Sequence, residues 1–81
     1  MKVQVKLFAI AREHIGASSV EVDLPANARV QELREELATR YPVLAGTLKQ
    51  MRFAVNNDYA RDEAVIPPAA EVACIPPVSG G

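Results

Sequence analysis

The stretch KVQVKLF at residues 2–8 alternates without a break: Val3, Val5 and Leu7 fall on one side, and Lys2, Gln4, Lys6 and Phe8 on the other. VEVDL at residues 20–24 repeats the pattern, with Val20, Val22 and Leu24 opposed to Glu21 and Asp23. Period two marks a strand with one buried face. A chain of 81 residues that opens with two such strands must cover that apolar face with whatever follows. The intervening AIAREHIGASS reads as a loop, punctuated by Gly16 and two serines, and the two strands are expected to pair antiparallel. The one oddity is Phe8, an aromatic on the charged side.

The cover is a helix. In NARVQELREELATRYP the apolar residues Val30, Leu33, Leu37 and Tyr41 lie at i, i+3, i+7 and i+11, one helical stripe. Asn27 is the expected N-cap. Pro42 ends the helix, because a proline pushes the residue before it out of the α region. Glu32, Arg34, Glu35, Glu36 and Arg40 dress the solvated side, and Leu44, Leu48 and Met51 predict a short helical turn closing one end of the core. RFAVNN predicts a third strand, with Phe53 and Val55 inward and a turn at Asn56-Asn57-Asp58. Tyr59-Ala60 is at most a very short fourth strand. Pro67-Pro68-Ala69-Ala70 is a stiff connector to a last strand, EVACI, with Val72 and Cys74 on one face and Ala73 and Ile75 on the other.

This order predicts an α+β fold of the ubiquitin-like β-grasp type, a mixed sheet of four to five strands with one main helix across one face. Its first and last strands are expected side by side and parallel at the centre. Residues 1–75 form the domain. Residues 76–81 form an extended Gly-Gly tail, since Pro76 and Pro77 have no amide hydrogen for the ladder.

Composition excludes several classes. Nine basic against ten acidic residues leave a net charge of -1, without the basic footprint of a nucleic-acid binder, and 5% aromatic content gives no base-stacking platform. Neither an apolar run long enough to span a membrane nor a secretory leader is legible. A single cysteine makes no internal disulfide. A small soluble cytoplasmic domain is the expectation. His14 has no ligand cluster around it and is read as a loop residue, with no metal site. Cys74 has two readings, a persulfide sulfur carrier or a small buried thiol, and its inward phase favours the second.

The tail PPVSGG is the chemical feature. A terminal carboxylate is ionised at neutral pH and a poor electrophile, so chemistry at Gly81 requires prior activation, most simply as an adenylate. Gly80 and Gly81 lack Cβ atoms and let the walls of a narrow pocket approach the backbone. From Pro76 to Gly81 the extended chain reaches roughly 20 Å. Ordering Val78, Ser79, Gly80 and Gly81 costs on the order of 4–8 kcal/mol, with little apolar area to offset it. Something on the body must therefore grip the partner. The candidates are Phe8 and Ile75 on the outer face, with Tyr59 nearby; burying all three is worth about 5–9 kcal/mol.

The chain resembles the small, sulfur-carrying subunits of molybdopterin synthase along its whole length. The likeness runs through Phe8-Ala9, Arg12-Glu13 and Gly16, the helix closing on Tyr41-Pro42, Ala54-Val55-Asn56, and Glu71-Val72-Ala73 leading into PPVSGG. That last motif is the most specific. The resemblance implies that a ubiquitin-activating-like enzyme uses ATP and Mg²⁺ to adenylate Gly81, and that a sulfur donor converts it to a thiocarboxylate. The loaded tail then enters the large subunit, which holds the general acids and bases, and gives sulfur to cyclic pyranopterin monophosphate. It implies a heterotetramer of two carriers and two large subunits, partner contacts at Phe8, Tyr59 and Ile75, no bound cofactor, and no conventional catalyst on this chain. Two departures stand out: Pro67-Pro68-Ala69-Ala70 replaces a turn that usually contains Asp-Gly, and Ile75 occupies an often aromatic position. Rival readings are a carrier for thiamine, cysteine or tRNA thiolation, a protein modifier joined through Gly81 to lysines, and a plain interaction module.

Overall fold

A computed structural model describes residues 1–76. Five strands form one sheet in the order β2-β1-β5-β3-β4: β1 Lys2–Leu7, β2 Ser19–Asp23, β3 Arg52–Val55, β4 Asp58–Ala60 and β5 Glu71–Ile75. The helices are α1 Ala9–Ile15, α2 Val30–Arg40 and the single turn α3 Ala45–Leu48, preceded by a 3₁₀ turn at Pro42–Leu44. β1 pairs antiparallel with β2 and parallel with β5, while β3 is antiparallel to both β5 and β4. The β-grasp expectation holds, with five strands.

The inward residues are those the alternation selects. Val3, Val5, Leu7, Val20, Val22, Phe53, Val72 and Cys74 are buried from the sheet side, and Val30, Leu33 and Leu37 from α2. Leu44, Leu48, Met51 and Ile66 close the core. Each fully buried aliphatic or aromatic side chain contributes about 1.5–3 kcal/mol relative to exposure. Val55 and Tyr41 pack only partly against this cluster. Among the described residues no helix is long and apolar enough to cross a membrane.

Two local expectations are corrected. AIAREHI is helix α1 and not loop, so Arg12, Glu13 and His14 are helical. Only Ala11 of this helix is buried, so it carries no apolar stripe to announce itself, and it ends on Gly16 at φ 79°, the left-handed cap that glycine tolerates. The N-cap of α2 is Arg29, not Asn27. Asn27 adopts φ 64° in the turn before the helix. Glu32 at the third helical position reaches back to accept from the Arg29 amide at 3.0 Å, satisfying one orphan group of the helix start.

The β3–β4 connection is a two-residue hairpin. Asn56 and Asn57 have φ 50° and 71°, the paired left-handed geometry of a type I′ turn, which asparagine accepts better than most residues. Asn56 also ties the hairpin to β5: its amide donates to the Glu71 carbonyl at 2.8 Å, and its Oδ1 accepts from the Glu71 amide at 3.0 Å.

Before β5, Ala69 takes φ 59° and the Ala70 amide closes a turn on the Pro67 carbonyl at 3.3 Å. A Cβ in this left-handed conformation costs about 1–2 kcal/mol, against about 0.5–1 kcal/mol of extra chain entropy lost by glycine. Ala69→Gly is therefore expected to stabilise the domain by about 0.5–1 kcal/mol, read as a higher thermal midpoint. An unchanged or lower midpoint would contradict the strain.

Candidate functional site

β5 lies inside the sheet, with β1 on one side and β3 on the other. Its register is fixed twice: Val72 is level with Val5 and Val55, and Cys74 with Leu7 and Phe53. The strand ends at Ile75, and Pro76 is half-buried. The tail therefore starts from an interior strand pinned by backbone bonds on both sides. The expected tail residues Pro77, Val78, Ser79, Gly80 and Gly81 lie outside the described residues.

The helices cover the inner face only. On the outer face, one row across the sheet reads Lys6, Ala73, Ala54, Tyr59, from the pairs Lys6↔Ala73, Ala54↔Ala73 and Ala54↔Tyr59. The next row, nearer the tail, holds Ile75 opposite Arg52. Phe8 follows Leu7, the partner of Cys74, and its dihedrals of -130° and 157° continue the strand geometry, so it stays on the outer side level with Ile75. Phe8 is 46% exposed and Tyr59 64%, while Ile75 is half-buried. Phe8 and Ile75 are thus level on one face, as the alternation requires, while Phe8 lines a hollow with Arg12, Ser18 and Ser19 on the β2 side. Tyr59 shares their face but stands two strands from Ile75, roughly 10 Å at 4.8 Å per strand.

Between them is a residue the sequence reading passed over. Arg52 places its guanidinium carbon 5.5 Å from the centroid of the Tyr59 ring, a cation–π arrangement. The signal lay in its phase, because Arg52 precedes inward Phe53 on an interior strand and must point outward. The sheet's other outer cations are neutralised within the face: Lys6 pairs with Glu71 at 3.0 Å and Lys2 with Glu21 at 3.6 Å.

Cys74 points the other way. It is buried, and its thiol donates to the Met51 sulfur at 3.1 Å. Burial pushes the thiol up to about 11, the nearby Arg34 guanidinium opposing only part of the effect. A protonated, enclosed thiol is a poor nucleophile, which argues against a persulfide at this position. Among the described residues no group of three or more His, Cys, Asp or Glu side chains stands close enough to hold a metal ion.

A model of the ThiS family matches residues 5–81. The chain belongs to the ThiS family. It is 37% identical to the molybdopterin synthase sulfur carrier subunit of Homo sapiens, over 99% of this chain and 94% of that protein. Among solved structures it is similar to a putative molybdopterin converting factor subunit 1 from Pyrococcus furiosus, with a TM-score of 0.83 and 30% identity, covering 96% of this chain and 99% of that one. It is also similar to SAMP1 from Haloferax volcanii, with a TM-score of 0.85 and 27% identity over the whole of both chains. The likeness read from PPVSGG and the preceding motifs therefore stands, and it carries the fold with it.

The Cys74 environment has a measurable consequence. Because the folded state raises this thiol above its ordinary 9.0, the stabilisation it reflects is complete below that pH and is lost as pH rises through about 11. Denaturant midpoints should fall over that window in the wild type, and the portion due to this thiol should vanish in Cys74→Ala. Equal alkaline losses in both proteins would show that the thiol is not so enclosed.

Proposed function

We propose that this chain is a sulfur carrier for molybdenum cofactor synthesis whose reacting group is the carboxylate of Gly81. The observation that carries the reading is the pairing of β5 between β1 and β3, which gives a Gly-Gly tail a fixed origin beside an uncovered sheet face. Membership of the ThiS family and similarity to molybdopterin synthase sulfur carrier subunits support the same chemistry.

An activating enzyme uses ATP and Mg²⁺ to form a mixed anhydride between the Gly81 carboxylate and AMP, releasing pyrophosphate. Sulfur delivered at the sulfide level attacks the acyl carbon as HS⁻, AMP leaves, a proton is lost to water, and a thiocarboxylate remains. The loaded tail enters the active site of the large synthase subunit, where sulfur passes to cyclic pyranopterin monophosphate and the carboxylate returns. Catalytic acids and bases belong to that subunit; this chain supplies position and sulfur. Two carriers at opposite ends of a dimer of large subunits form the working heterotetramer, in the cytoplasm where ATP is supplied.

Phe8, Ile75 and Tyr59 are the grip on the partner. The exposure of Phe8 and Tyr59, and the partial exposure of Ile75, on the face that the helices leave open support this role, and their burial on docking offsets the cost of ordering the tail. Phe8→Ala and Ile75→Ala should each weaken binding of the large subunit by about 10-fold or more, equivalent to about 1.5–3 kcal/mol, with circular dichroism unchanged. Unfolding of these variants under mild conditions would place the residues in the core instead.

Similarity to SAMP1 favours a second reading, a protein modifier, in which a lysine amine attacks the same adenylate and forms an isopeptide. Intact-mass measurement after incubation with ATP, the cognate activator and a sulfur source separates the two. A carrier gains the mass difference between sulfur and oxygen, and a modifier appears attached to other proteins. Deleting Gly81 should abolish either product without altering the fold. Loading that persists without Gly81 would overturn the assignment.

A further inference from the structure

The cations of the sheet differ in their pairing. Lys2 and Lys6, toward the β2 side, are paired with Glu21 and Glu71. Toward the opposite edge, Arg52 and Arg61 are exposed, and neither takes part in an ion pair among the described residues. Together with Tyr59 they line an open hollow of about 370 Å³, whose one acid, Asp62, is already held by Arg34 at 2.8 Å. Asp58 and Glu63 border an adjoining hollow along Val55 and Ala64 that shares Tyr59 and Arg61 with the first, but neither forms an ion pair with Arg52 or Arg61. A chain with net charge -1 thus carries two arginines without ion pairs at one corner of its open face, Arg52 being opposite Ile75 in the sheet.

Protection of a sheet edge does not explain this corner. Charges that keep an edge from pairing sit on the edge strand, whereas Arg52 is on β3, interior to the sheet and bonded on both sides. Stacking on Tyr59 holds the guanidinium plane and leaves its N–H edge available, so less rotamer freedom is lost when it meets a planar acceptor. Carboxylates match that fork in a bidentate manner.

We propose that Arg52, Tyr59 and Arg61 form a docking corner for an acidic protein surface, one that presents carboxylates next to the apolar socket receiving Ile75 and Tyr59. The inference rests on the reading of this face as the partner-facing one and adds the chemistry of the partner. Unpaired arginines at a rim accelerate encounter and orient it, and their effect is screened by salt with a Debye length of about 10 Å at 0.1 M. Apolar contacts at Phe8 and Ile75 are not screened in this way. The corner therefore fixes the direction from which a partner approaches the root of the tail.

The test is titration of the cognate large synthase subunit against wild type, Arg52→Gln/Arg61→Gln, Arg52→Lys/Arg61→Lys and Phe8→Ala, at low and at high ionic strength. The wild type should bind more weakly as salt rises. The glutamine pair should bind about 10- to 100-fold more weakly at low salt, the range given by one to two lost charge contacts, and should lose most of the salt dependence. The lysine pair should keep the salt dependence and recover only part of the affinity. Phe8→Ala should lose affinity while keeping the wild-type salt dependence. Weakened binding by Phe8→Ala with an unaffected glutamine pair, or salt-independent binding by wild type, would overturn the acidic-partner proposal and leave the docking face standing. Full-strength binding by both variants, or no binding by wild type, would overturn both.

Discussion

The parallel pairing of β1 with β5 is the contact on which the rest depends. It joins the two ends of the domain in adjacent strands, with Val5 level with Val72 and Leu7 with Cys74. Parallel neighbours need a long crossover, and here everything from α1 to the Pro67–Ala70 turn serves as that connection. Its inner residues Val5, Leu7, Val72 and Cys74 are all buried, so the pair is also the floor of the core. The outer neighbours on the same strands are Lys6, Ala73 and Ile75. One backbone arrangement thus stabilises the domain and aims the tail. β5 cannot shift by one residue without turning its buried side chains outward, so the launch point is as rigid as the core.

Arg34 extends that rigidity to the far edge of the sheet. Its side chain is only 19% exposed and projects from α2 to donate to the Leu48 carbonyl, to the Met51 carbonyl at 2.7 Å and to Asp62 at 2.8 Å. The guanidinium carbon also lies 4.9 Å from the centroid of the Phe53 ring. The acceptors are carbonyls where α3 ends and just before β3 begins, that of Leu48 also accepting from the Met51 amide at 3.3 Å. One residue therefore fastens the helix, the start of β3 and the segment after β4. Arg52 and Tyr59 on the outer side inherit their placement from this inner anchor.

Most of the fold is legible because one face of the sheet is dry and the other wet. That contrast writes period two into KVQVKL, SVEVD and EVACI, and the matching helical stripe into Val30, Leu33 and Leu37. It also gives the inward phase of Cys74 and the outward phase of Phe8 and Ile75. Helix α1 escapes because it buries only Ala11, leaving too little apolar surface to set a period. The start of α2 escapes because two signals compete: Asn27 has the right chemistry for a cap, yet its tolerance of left-handed backbone is what the turn uses. Arg34 reads as one more charge on a solvated helix, since nothing local to α2 reveals the carbonyls brought to it by α3 and β3. The stacking of Arg52 on Tyr59 depends on hairpin register, which Asn56-Asn57 sets but alternation alone does not.

A carrier must also leave. A tail that costs several kcal/mol to order, docked through a large apolar face, would require that face to bind tightly, and release after each transfer would then be slow. The geometry avoids this. Phe8 and Ile75 offer only a small apolar area near the end of β5, the centre of the face is lined by Ala54 and Ala73, and Tyr59 stands apart beside Arg52. Such a surface offers less burial than three adjacent large side chains. Charge at the Arg52–Arg61 corner compensates in the association rate, the quantity that rim electrostatics chiefly controls, without adding apolar area that would slow dissociation. Fast encounter combined with modest burial is the kinetic profile suited to the carrier role proposed above.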